Sequence, residues 1–108
     1  MGLFFWKNNR KIDTFAFALA EDLFSQVQPD VAQQHFAGSG VDNKKKKRKI
    51  EERFQALIIQ MHEFCLTNSL GIYGKARLQK TFSDRLLELG YDDAVTHRLV
   101  ETIVLRNI

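Results

Sequence analysis

Phe15, Leu19, Leu23 and Val27 recur every fourth position, with Ala16 and Ala20 beside them and Phe17 and Phe24 along one edge. That spacing traces one face of an α-helix, and so wide a face requires more than one packing neighbour. Asp13 reads as the N-cap of this helix, with Ile12 and Phe17 at the two positions of a hydrophobic staple. Pro29 reads as its end.

A second pattern starts after the basic run at 44–49. Ile50, Phe54, Leu57, Ile58, Met61, Phe64 and Cys65 fall on one stripe, while Ile59 and Leu66 fall on the opposite side. This predicts a long second helix over about 44–68, placed centrally or against another subunit, with its basic start projecting past its neighbours. Leu78, Phe82, Leu86 and Leu89 mark a third helix from about Lys75, with Gly90 as its C′ residue. Asp92 caps a fourth, on which Val95, Leu99 and Ile103 form the main stripe and Val100 and Val104 widen it. The link between these two helices is so short that they must form a tight hairpin. Between the first and second helices, "PDVAQQHFAGSGVDN" (29–43) holds the single proline and the string Ala37-Gly38-Ser39-Gly40. It reads as a flexible connection in which Val31 and Phe36 anchor at most a short turn. The expected fold is all-α: one domain over 1–108, a small four-helix bundle with a long central second helix and a C-terminal helical hairpin.

Composition adds limits. An apolar fraction of 44% and a charged fraction of 27% suit a globular chain, and 108 residues suffice for one core. Cys65 is the single cysteine, so no internal disulfide forms, which fits a reducing compartment. The formal charge is +3, yet Lys44, Lys45, Lys46, Lys47, Arg48 and Lys49 supply six positives in a row and leave −3 over the rest. The basicity is therefore a local patch. No stretch has the ~20 apolar residues of a membrane span. The start "MGLFFWKNNRK" is apolar first and basic second, the reverse of a secretory signal. Trp6 stands where N-myristoylation wants Ser or Thr. A cytoplasmic protein, peripheral at the inner membrane surface if membrane-associated, is the expectation.

The run at 44–49 places cations at the positive end of a helix dipole. Four readings fit it. It can neutralise nucleic-acid phosphates, lie on anionic lipid, serve as a basic import signal, or be a solvated, frayed helix start. No aromatic or amide residue is interleaved to read base edges, so nucleic-acid binding would be driven by the backbone. Leu3, Phe4, Phe5 and Trp6, followed by Lys7, Arg10 and Lys11, suit a bilayer interface. They equally suit a fold-back over the first helix, or a tail docking in a partner's groove.

Other candidates for chemistry fall away. "GIYGKARLQK" lacks the spacing, the hydroxyl residue and the preceding strand of a phosphate loop. Its charges are partly offset by a Lys80–Asp84 pair. His62 and Cys65, one turn apart, make two metal ligands where zinc wants three or four. Cys65 is expected in the core, and His97 is placed to pair with Asp93 or Glu101. No cofactor, metal or catalytic residue is assigned, and no enzyme is expected. Two functions remain. One is a polyanion-binding module acting through Lys44 to Lys49, with or without Leu3 to Trp6. The other is a protein–protein module or homo-oligomer using Ile59 and Leu66, or the Leu3–Trp6 tail.

Overall fold

Ile12, Ala16, Leu19, Ala20 and Leu23 are buried along one side of the first helix, α1 (Gly2–Gln26), with Val27 buried just past its end. A computed structural model describes the backbone over 2–38 and 44–107, and the side chains over 9–38 and 44–106. After α1 come α2 (Pro29–Ala37), α3 (Lys44–Thr67), α4 (Ile72–Glu88) and α5 (Asp93–Ile103), then a short 3₁₀ turn, Leu105–Asn107. Every element is helical among the described residues.

Three of these differ from the sequence expectation. The helical backbone of α1 continues back to Gly2, so Asp13 lies in mid-helix and caps nothing. Its carboxylate instead receives Arg77 of α4 in a side-by-side ion pair, 3.0 and 2.9 Å. Ile12 is core, whereas Phe17 is 44% exposed under the Arg85 guanidinium, so the two form no staple. Next, residues 29–37 form a helix, where only a turn was expected. Pro29 stops α1 but opens α2 at its first position, where a missing N–H costs nothing. Residues 39–43 lie outside the description. Finally, α4 starts at Ile72, three residues earlier than expected, and takes Gly74 into its first turn. A Cβ there would meet Leu70 at 3.1 Å and Ile12 at 3.5 Å, so the absent side chain lets α4 approach α1 closely.

The most extensive packing among the described residues joins α1 to α4. Asp13–Arg77, Glu21–Arg85 and Val27–Tyr91 are all contacts between residues 64 apart. A constant offset means that α1 and α4 run parallel, rung by rung. Phe15 of α1 stacks on Phe64 late in α3, ring centroids 4.1 Å apart. Phe54, earlier in α3, instead meets His35 and Phe36 of α2, beyond the end of α1. Thus α3 runs antiparallel to α1. The remaining substantial packing joins α4 to α5, α3 to α5 and α2 to α5, around a core that includes Met61, Leu78, Phe82, Leu86, Leu99 and Ile103.

Two helix ends share one motif. After α4, Gly90 takes φ 107°, its N–H bonds to Leu87 O, and Tyr91 N–H bonds to Leu86 O. After α3, Ser69 takes φ 49°, with Ser69 N–H on Leu66 O and Leu70 N–H on Cys65 O. Both are Schellman ends, and in each the following residue, Tyr91 or Leu70, is buried. The cap of α5 matches its sequence signal: Asp92 Oδ1 accepts Val95 N–H at 2.7 Å.

Candidate polyanion site and neighbouring surfaces

Ile50 is the first buried residue of α3, and from it Phe54, Leu57, Met61 and Cys65 fix the helix to the core. Lys44 to Lys49 precede that anchor and are all exposed. They form almost two turns of helix in which cations recur at i+3 and i+4, an unfavourable spacing for like charges. The first turn contains no acidic residue to offset the dipole. Among the described residues, no carboxylate lies within ion-pair distance of Lys44, Lys45, Lys47, Arg48 or Lys49. Among the same described residues, Glu51 and Glu52, one turn further on, make no such bridge. Lys45, Lys46, Arg48, Lys49 and Glu52 line one shallow depression.

The base of this cationic segment is held firmly. Phe36 stacks on Phe54 at 6.0 Å, His35 meets both rings edge-on, and Arg98 of α5 lies 5.4 Å over Phe36. Burial among these rings holds the His35 pKa below its ordinary value. Glu51 acts against that shift and Lys47 adds to it.

Leu3, Phe4, Phe5 and Trp6 belong to the helical backbone of α1, but their side chains lie outside the described residues. Because α1 and α3 are antiparallel, α1 begins at the end of the molecule where α3 finishes. The aromatic cluster and the basic run therefore start at opposite ends of a body whose longest dimension is 53 Å. Any surface that engages both must lie lengthwise along the helices.

Ile59 and Leu66 are 54% and 67% exposed on the outer side of α3. Cys65 is buried, its Sγ 3.6 Å from Met61 Sδ, and burial pushes its thiol pKa up. His62 points to solvent. His97 faces Glu101 at 3.7 Å, and Lys80 faces Asp84 at 3.2 Å. Among the described residues, no three His, Cys, Asp or Glu side chains converge on a point, and no helix is long and apolar enough to cross a membrane.

One surface escaped the sequence reading. Arg10, Lys11, Thr14, Phe15 and Ala18 of α1, with Phe64 of α3, line an open groove of 610 Å³ whose floor is almost wholly apolar. Phe15 and Phe64 each belong to an apolar stripe in the sequence, but their meeting across two helices leaves no mark in either local pattern. No known protein family, characterised protein or solved structure matches the chain.

Proposed function

We propose that the protein is a non-enzymatic helical binding module that contacts a polyanion, an anionic membrane surface or a nucleic-acid backbone, through Lys44 to Lys49. The observation that carries this reading is the position of the run: six exposed cations stand ahead of the first core residue of α3, on a helix that is otherwise anchored. The helix would be more stable if these residues were neutral, since each like-charge pair costs roughly 0.2–0.5 kcal/mol and each cation at the dipole's positive end a similar amount. A bound polyanion reverses the sign of both effects. A cytoplasmic location, peripheral at the inner membrane surface, accords with a lipid ligand.

The test replaces all six residues with Gln. The wild-type chain should sediment with vesicles containing phosphatidylglycerol or retard a DNA duplex at low salt, and the substituted chain should do neither. Equal binding by both chains would refute the assignment.

A second reading draws on Ile59 and Leu66, two large apolar side chains exposed seven residues apart on one helix face. That is the spacing of a helix–helix seam. In this reading the chain associates with itself or with a protein partner through α3, and the basic run is only solvated. Sedimentation equilibrium distinguishes the two: an oligomer that Ile59→Glu and Leu66→Glu dissociate supports this reading, and a monomer at all concentrations removes self-association.

A further inference from the structure

The groove between α1 and α3 shares its side of the molecule with part of the basic run. On α3, Lys46 and Arg53 stand about five and about three helical turns before Phe64, and so lie on the same side of the helix, with Lys49 beside them. On α1, Arg10 and Lys11 line the groove itself. All five cations are exposed. Asp22, the carboxylate on this side of α1, accepts a hydrogen bond from Gln26 at 2.8 Å. The groove itself is an apolar seam floored by Phe15, Ala18 and Phe64, with Arg10 and Lys11 at its edge and the α3 cations further along the same side.

Building on the polyanion reading, we infer that this lengthwise α1–α3 side is the binding surface, that its ligand is an anionic phospholipid bilayer, and that the groove admits acyl chain between headgroups held by Lys11, Lys49 and Arg53. Charge complementarity identifies the headgroup, and the apolar floor excludes a purely phosphate ligand. A nucleic-acid backbone gains nothing from an apolar seam. Stacked bases would need open rings, whereas Phe15 and Phe64 are half-buried and each gives one face to the other, with planes 3° apart. A bilayer offers anions and hydrocarbon within one layer, the pair of chemistries this surface presents. It also meets the requirement that a surface joining both ends of the molecule lie along the helices.

Ala18 is exposed, so substitution there leaves the core untouched. In the full chain, Trp6→Phe with Ala18→Trp places the sole indole over the groove. Its emission should shift blue on vesicles containing phosphatidylglycerol, be quenched by lipids brominated on the acyl chain, and stay unchanged on phosphatidylcholine alone. Ala18→Glu should weaken sedimentation with the anionic vesicles by at least about fivefold, the effect of roughly one unfavourable charge at such a surface, with duplex DNA binding unaltered. Vesicle binding that persists with an unquenched indole would overturn the groove while leaving the basic-run reading intact. DNA binding without vesicle binding would overturn the lipid assignment alone. Binding to neither would overturn the inference and the polyanion reading together.

Discussion

Asp13 on α1 and Arg77 on α4 form a two-pronged ion pair: Arg77 Nε donates to Oδ1 at 3.0 Å and Nη2 to Oδ2 at 2.9 Å. Thr81, one turn further along α4, adds a hydroxyl hydrogen bond to Oδ1 at 3.3 Å. The pair is one rung of a parallel ladder whose next rung joins Glu21 to Arg85 at 2.7 Å. Parallel neighbours have no short connecting loop to set their register. The ladder supplies that constraint along the flank of the apolar contact.

Asp13→Ala should therefore cost about 0.5–1 kcal/mol, because both partners are about one-third exposed and keep part of their hydration. A double-mutant cycle with Arg77→Met should show the two losses to be non-additive, with coupling that shrinks as salt rises. Strict additivity in urea melts would mean that the pair only decorates the interface.

Tyr91 fixes the same interface at its far end, where its hydroxyl donates to the Val27 carbonyl. Tyr91→Phe leaves that carbonyl without its partner and should cost about 1 kcal/mol. Burial raises the phenol's pKa above its ordinary value of about 10. The unfolded chain thus releases this proton at lower pH than the folded one, so stability falls as pH climbs past about 10. Melts in alkaline buffers should show that fall in wild type and a smaller one in Tyr91→Phe; parallel curves would contradict it.

The opposite sign applies to His35. Burial lowers its pKa, so the unfolded chain takes up the proton first, and stability present above about pH 6.5 is lost as pH falls through the folded value. Its edge-on contact with Phe54 ties α2 to the foot of the basic run. Urea midpoints for wild type and His35→Phe should diverge between about pH 7.5 and about pH 5, with wild type losing more. A constant difference would place the acid sensitivity elsewhere.

Much of α3, the end of α4 and the start of α5 was legible because their signals are local. The stripe from Ile50 to Cys65, the Asp92 cap and Gly90 as C′ all depend on residues within a turn or two. Asp13 misled because its cap signal is equally local, whereas the partner that determines its role, Arg77, is 64 residues away. α2 was hidden by its polar sequence and the glycine that follows it. Only Ala32 is fully buried in it, and its attachment depends on Phe36 meeting Phe54 and Arg98. At the candidate site the six cations are visible as letters. The groove is not, since Phe15 and Phe64 become neighbours only when α1 and α3 pack.

Ser69 shows a residue whose strain the sequence hides. It holds φ 49° at the C′ position of α3, a conformation that glycine adopts freely. Ser69→Gly should raise stability by about 0.5 kcal/mol, after the extra unfolded-state freedom of glycine is set against the relieved strain. Gly90→Ala, at φ 107°, should lower it by about 1 kcal/mol even though a Cβ there meets nothing closer than Pro29 at 3.8 Å. A stabilised Gly90→Ala chain would show that the backbone relaxes at this turn.

The most direct test of the polyanion assignment is the salt dependence of wild-type affinity for vesicles containing phosphatidylglycerol, measured by sedimentation from low to high ionic strength. The account predicts that affinity falls steeply as screening shortens the reach of Lys44 to Lys49, and that Lys49→Gln makes the fall shallower. A vesicle affinity indifferent to salt, or no binding to either vesicles or a DNA duplex even at the lowest ionic strength, would contradict it.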